Sequence, residues 1–357
     1  MTDVAKAAGV SQSSVSLVLN DMTGARISEA TRRRVWEAVR DVGYQFEPRR
    51  QEPPPVTGPV TRDLIGYLVD EISTSVHPAV TIDGARDAAW EHGCVLAVST
   101  TRGNAELEDA TLRGLIANPA LVGVVYSTIF TRKVTVPEIL KGVPTVLLNC
   151  HAADRGFPSV TPGEVTGGHT ATARLIQAGH TRIGFINGEP WMEAARDRFK
   201  GYRQALSTAD LPFDADLVRD GDWAPTSGYE QTRSLMGLPR PPTAIFCAND
   251  LMALGCMEAL RDLGREVPRD VAVIGYDDQE MAQHTRPPLT TVLLPNYEMG
   301  RWAVEYLIAD VIHGHTSRLR QVKLDCPLVE RGSVQSPGAL DGEPMPLGQE
   351  AVENAAS

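Results

Sequence analysis

Residues 3–20, DVAKAAGVSQSSVSLVLN, hold two short amphipathic segments separated by a glycine. Val4, Ala5 and Ala8 fall on one face of the first. Gly9-Val10 reads as a turn, since glycine accepts backbone angles that other residues avoid. Ser11 stands as the N-cap of a second helix. On that helix Gln12, Ser13, Ser16, Leu17 and Asn20 share one face, while Val15, Val18 and Leu19 point largely the other way. A third helix begins at Ser28, runs through EATRRRVWEAVRDV (29–42) and stops at Gly43. Val35 and Val39, four apart, can meet Val15 and Leu19 in a miniature core. The result is a small all-α helix-turn-helix domain over residues 1–45. A short polar face at the start of a helix suits the major groove, where Gln and Ser can pair with base edges. An exposed face on a small helical bundle is the plainer alternative.

Outward from this head, YQFEPRRQEPPPVTGPVTR (44–62) cannot continue a helix and reads as a Pro-rich linker over 46–62. From Leu64 short apolar runs alternate with helical segments: LIGYLV (64–69), VLAVST (95–100), VGVVYS (122–127) and VPTVLLN (143–149). The series restarts with RIGFIN (182–187), TAIFCAN (243–249) and VAVIGYDD (271–278). Such alternation implies parallel sheets wound in right-handed βαβ units. Two successive series predict two Rossmann-like α/β lobes over 63–332, one from about 63–160 and 292–323, the other from about 161–291 and 324–332. The segment 333–357 is polar and broken by Pro and Gly, and is expected to be a disordered tail.

Charge supports the same division. The 357-residue chain carries a net −11, but residues 1–62 hold nine Lys/Arg against seven Asp/Glu, so the remainder carries −13. Phosphate attraction is screened over about 10 Å in physiological salt, so the local balance matters more than the total. No apolar run of membrane-spanning length occurs and the start lacks a secretory pattern, which points to the cytoplasm. Five scattered cysteines without a CxxC pair read as reduced, buried thiols. The HGH at 313–315 lacks further ligands and reads as a surface turn rather than a metal pair. No cofactor is expected: neither GxGxxG nor GxxxxGK[ST] occurs, against a nucleotide-dependent enzyme. Asp277-Asp278 are adjacent and diverge in direction, against hydrolase chemistry.

The strings DVAKAAGVSQSSVSLVLN (3–20) and ISEATRRRVWEAVRDVGY (27–44) closely resemble the DNA-binding head of the lactose-repressor (LacI) family. The resemblance continues through AGHTRIGFING (178–188), AARDRFKGYRQAL (194–206), PPTAIFCANDLMALGCMEALRDLG (241–264), VPRDVAVIGYDDQEM (267–281) and RPPLTTV (286–292). It implies a transcriptional regulator that represses carbohydrate uptake or catabolism genes, as a homodimer on pseudo-palindromic double-stranded operator DNA. The match places base or backbone contacts at Ser11, Gln12, Ser13, Ser16 and Asn20, with Arg26 and the Arg32–Arg34 cluster, Arg33 included, near phosphates. Three features depart from the family pattern. Leu17 stands where many members carry Arg, so it can touch a thymine methyl but cannot bond guanine. Members have several residues before the equivalent of Asp3, so Met1 reads as an internal start. Pro53–Pro55 forbids the short hinge helix that members insert into the minor groove.

By the same resemblance the lobes are periplasmic-binding-protein-like, with a small sugar effector in the cleft between them. Parallel sheets place ligand sites at the carboxyl ends of strands. That puts Ser73, His77, Asn149, Trp191, Arg196, Trp223, Asn249 and Asp277 at the cleft, with Arg196, Asn249 and Asp277 the leading contacts. Directed polar groups with a Trp face suit a polyol. Asp250 is expected to cap the following helix, Arg198 either contacts ligand or forms a structural ion pair, and Asp278 is structural. The alternative is a periplasmic-type sugar-binding transport protein, which shares the two lobes but would carry a signal peptide instead of the head.

Overall fold

The computed structural model describes residues 2–10, 15, 18–19, 29–42, 63–313 and 320–335. The chain divides into two compact units, Met1–Thr61 and Arg62–Ser357. In the first, α1 (Thr2–Ala8) and α2 (Glu29–Asp41) are formed. Val4, Ala5, Ala8, Val15, Val18, Leu19, Val35, Ala38 and Val39 are buried together, the miniature core that the apolar spacing predicts. Gly9 takes φ +63°, as its turn requires. Arg33 is exposed on α2, whereas Ser11, Gln12, Ser13, Ser16, Leu17, Asn20 and Arg26 lie outside the described residues.

The second unit holds two parallel sheets. Lobe 1 is built on β1 (Leu64–Val69), β2 (Val95–Thr100), β3 (Leu121–Val134), β4 (Thr145–Ala152), β5 (Ser159–Pro162) and, late in the chain, β11 (Gln321–Leu324). Their order is β11-β5-β4-β3-β1-β2. Lobe 2 uses β6 (Ile183–Asn187), β7 (Val218–Asp220), β8 (Ala244–Cys247) and β9 (Ala272–Ile274), ordered β7-β6-β8-β9. The central strands are apolar almost throughout because helices cover both faces. In lobe 1, α3 (His77–Glu91) and α9 (Asn296–His313) pack over one face and α4 (Ala105–Ile116) over the other. Lobe 2 carries α5 (Glu164–Gln177), α6 (Glu193–Thr208), α7 (Pro225–Met236) and α8 (Asp250–Asp262). The chain leaves lobe 1 after β5, returns through β10 (Thr291–Val292) to α9, and crosses again from β11 to β12 (Leu328–Val329), which pairs antiparallel with β10.

Glycines set the spacing of the paired helices. A Cβ on Gly84 of α3 would lie 2.0 Å from the Tyr297 carbonyl of α9, and one on Gly300 of α9 would lie 2.0 Å from the Thr81 carbonyl of α3. The same reciprocal exchange joins Gly168 of α5 to Gly201 of α6, and Gly228 of α7 to Gly255 of α8.

Two expectations need correction. β3 runs on to Val134 and β4 to Ala152, well past the apolar runs that announced them. Residues 333–335 belong to lobe 2 rather than to a tail. Ser333 Oγ donates to the Val273 carbonyl (2.6 Å) and accepts from Thr290 N–H (2.8 Å), Val334 is buried, and the Gln335 carbonyl meets His180 Nε2 at 2.8 Å. A core partner for each residue outweighs the polar composition of the segment. All five cysteines are free and buried. Among the described residues no helix is long and apolar enough to cross a membrane, and no cluster of metal-ligating side chains occurs.

Candidate functional site

The carboxyl ends of the lobe-2 strands converge on one buried side chain, Arg198 of α6. Burial is imposed by helix geometry: Ala194, Ala195, Arg198, Gly201, Tyr202 and Ala205 form the buried stripe of α6 at helical spacing. Arg198 Nε and Nη2 donate to the two carboxylate oxygens of Glu164 at 2.7 and 2.9 Å. Nη1 donates to the Ala248 carbonyl at the end of β8 and reaches Asp277 Oδ1 at 3.5 Å. The guanidinium lies 3.7 Å from the Tyr276 ring centroid and 5.6 Å from that of Trp223. Burial opposes the charge on Arg198, but Glu164 and Asp277 outweigh it and hold the proton more tightly than water would.

Asp277 follows β9 with φ +109°, a conformation that an L side chain adopts only under strain. Burial would raise its pKa, yet His77 and Arg198 hold the carboxyl below the usual aspartate range. His77 stands at the head of α3 in lobe 1, and its Nε2 lies 3.4 Å from Asp277 Oδ2, so this contact spans the two lobes. The Asn296 amide meets His77 Nδ1 at 3.1 Å, which places the ring proton on Nε2, facing Asp277. The Trp223 ring lies against Gly188, where a Cβ would come within 1.9 Å of it. Asn187, at the end of β6, is buried, and its Oδ1 finds no hydrogen-bond partner among the described residues. It is a buried acceptor without a protein partner at the carboxyl end of a strand.

His77, Trp223, Asn249 and Asp277 therefore come together around Arg198, but their amides and carboxylates play different parts. Asn249, not Asp250, caps α8: its Oδ1 accepts from Met252 N–H at 2.8 Å while Nδ2 donates to the Trp223 carbonyl at 2.9 Å. Asp250 is instead the first helical residue and braces the Asp277 loop, accepting from Gln279 N–H at 2.8 Å and from Thr291 Oγ1 at 2.6 Å. Burial and the nearby Asp277 charge push the Asp250 carboxyl well above the aspartate range. Asp278 accepts from Arg331 at 2.5 Å, a structural pair between the Asp277 loop and the segment that follows β12.

The other expected contacts lie elsewhere. Ser73 is exposed, its hydroxyl donating to Glu71 at 2.8 Å. The Asn149 side chain is spent inside lobe 1, accepting from Thr131 Oγ1 at 2.6 Å and donating to the Thr128 carbonyl at 3.1 Å. Arg196 is exposed on α6 and donates to the Pro190 and Trp191 carbonyls. Trp191 is 60% exposed and meets Phe130 of lobe 1 edge-on at 5.5 Å. Sequence reasoning passed over Glu164 and Asn187, and left Arg198 undecided. A cavity of about 450 Å³ lies between the lobes beside Glu164, lined also by Thr131, His151, Thr161, Glu193, Asp197 and Lys323.

The family comparisons agree with this architecture. Residues 1–46 match the model for bacterial regulatory proteins of the lacI family, and residues 172–334 match a periplasmic binding protein-like domain. The chain is 32% identical over 337 residues to the HTH-type transcriptional repressor CytR of Escherichia coli strain K12, covering 94% of this chain and 96% of CytR. Among solved structures, the transcriptional regulator CelR–cellobiose complex superposes with a TM-score of 0.64 at 32% identity, over 93% of this chain and 98% of that one. The lac repressor dimer bound to operator and the anti-inducer ONPF gives a TM-score of 0.65 at 27% identity over the same shares. A helix-turn-helix head joined to a two-lobed ligand-binding core, related along nearly its whole length to repressors, makes this chain a member of the lacI family of DNA-binding transcriptional regulators rather than an enzyme.

Proposed function

We propose that the chain is a cytoplasmic homodimeric repressor of carbohydrate uptake or catabolism genes, released from a pseudo-palindromic operator by a small sugar held between its lobes. The observation that carries this reading is the Arg198–Asp277–His77 cluster. It brings hydrogen-bonding groups from both lobes, charged Arg198 and Asp277 from lobe 2 and the His77 ring from lobe 1, together with a Trp face and the orphan Asn187 acceptor at the strand ends where parallel sheets gather ligands. That cellobiose is bound by CelR supports a disaccharide as the first candidate. Ser11, Gln12, Ser13, Ser16, Leu17 and Asn20 would face bases, with Arg26 and Arg33 on phosphates.

A second copy would cover exposed apolar side chains of lobe 1: Val76, Val80 and Trp90 in the α3 region, and Val95 and Val98 on the edge strand β2. An edge strand with no further strand beside it among the described residues, together with exposed apolar side chains, suits self-association. A thermal-shift screen over mono- and disaccharides including cellobiose, followed by operator binding with and without each hit, tests the reading. It predicts at least one sugar that stabilises the protein and lowers operator affinity. Stabilisation by nucleosides or purines, with none by sugars, would replace the effector class.

A further inference from the structure

We propose that the β3–β4 arm of lobe 1 and the Trp191–Glu193 segment of lobe 2 form a clasp that sets how readily the two lobes stay closed. This rests on the effector-cleft reading above and adds its regulation. The arm is the part of β3 and β4 beyond the sheet core. After a break following Ser127, pairing resumes as Arg132 with Cys150, Lys133 with His151 and Val134 with Ala152. The 128–131 segment is fixed within lobe 1. Thr128 Oγ1 donates to the Asn149 carbonyl at 2.8 Å, Asn149 binds back to Thr128 and Thr131, and Asp70 Oδ1 accepts from Ile129 N–H at 2.8 Å while Oδ2 pairs with Arg132 at 2.8 Å. The facing segment is equally fixed within lobe 2. Arg196 donates to the Pro190 and Trp191 carbonyls, and Trp223 Nε1 donates to Met192 Sδ at 2.9 Å.

Two preset bodies therefore meet across the cleft. The Phe130 and Trp191 rings are 5.5 Å apart at 79°. The Lys133 N–H donates to Glu193 Oε1 at 3.1 Å, and His151 Nε2 lies 3.1 and 3.0 Å from the two Glu193 oxygens. None of these contacts can persist once the lobes part, so each weights the closed arrangement alone, the condition for shifting a two-state equilibrium. The clasp also explains why the Asn149 and Arg196 side chains are tied within their own lobes instead of being free for ligand. They hold the two jaws. His151 and Glu193 also line the cavity of about 450 Å³ between the lobes, which Glu164, the partner of Arg198, borders as well.

The test reads hydrogen exchange at the Lys133 amide in the full chain without ligand, comparing wild type with Trp191→Ala, Phe130→Ala and the double variant. Trp191 is 60% exposed, so its removal leaves both cores intact. The clasp predicts exchange about two- to tenfold faster in either single variant, the range for one aromatic pair, and no further increase in the double variant. Unchanged Lys133 exchange in Trp191→Ala overturns the proposal, because the Phe130–Trp191 contact and the Lys133–Glu193 bond would then not hold one closure together. A parallel titration with cellobiose separates the two ideas. Cellobiose binding with unchanged Lys133 exchange removes the clasp and keeps the effector reading, whereas faster exchange in a protein that does not bind cellobiose keeps the clasp and removes cellobiose as the effector.

Discussion

Arg196 and Arg198 stand two residues apart and have opposite fates. Two positions on a helix are separated by roughly 200°, so only one can join the stripe that α6 buries. Arg198 lies three residues before Gly201, whose missing Cβ lets α6 touch α5, and this spacing was the available signal. Reading the three-residue string RDR for its chemistry favoured Arg196; reading it for periodicity selects Arg198. The difference is testable. Arg198→Ala strands Glu164 and Asp277 in the interior and should cost about 3–5 kcal/mol in urea unfolding. Arg196→Ala, at the surface, should stay within about 0.5 kcal/mol. A comparable loss in both would contradict the burial assigned to Arg198. His180 gives a pH prediction. It is 2% exposed, with Nδ1 at 3.0 Å from Thr243 Oγ1 and Nε2 facing the Gln335 carbonyl. Burial lowers its pKa below the ordinary 6.5. A depressed folded-state value means the neutral ring is the native form, so its contribution is present above about pH 6.5 and is lost as pH falls through the folded pKa. Stability should therefore drop between pH 7 and 5, and drop less in His180→Gln, which can keep both bonds without titrating. An identical pH profile in the variant would remove His180 as the cause.

The apolar strands and the helices between them were legible because burial on both faces leaves continuous hydrophobic runs. What did not announce itself was the continuation of β3 through TIFTRKV (128–134), where the strand leaves the core and its partners become a carboxylate and an aromatic ring from the other lobe. Polar residues in extended backbone look like loop until the tertiary partner is known. Residues 333–335 misled for the same reason, since Ser333 and Gln335 are satisfied by distant strands and a buried histidine. The helix pairs were legible in outline only. Their glycines read as ordinary interruptions, yet each exchanges places with a facing carbonyl. Gly201→Ala should force α5 and α6 apart and cost about 1–3 kcal/mol in chemical denaturation, with Gly84→Ala behaving alike between α3 and α9. A neutral effect would mean that the helices can slide without loss.

Over the whole molecule, the head and the sensor divide both charge and task. Residues 1–62 carry a net +2 while the rest carries −13, so DNA is attracted locally by a protein that is acidic overall. Arg33 is exposed on α2, and Arg33→Ala should weaken all DNA sequences alike and reduce the salt slope by about 1. Loss of affinity confined to one sequence would move Arg33 from phosphate to base. The family resemblance made the head and the two lobes readable, but the partition of roles within the cleft depends on which side chains meet across it. The claim joining sensor to reader is that ligand closure and operator binding share one free energy. The most direct measurement is calorimetric titration of the full-length protein with a stabilising sugar, cellobiose first, in the absence and presence of saturating operator. Linkage predicts that the sugar binds at least about fivefold more weakly to the operator complex. Equal sugar affinity with and without DNA would contradict it.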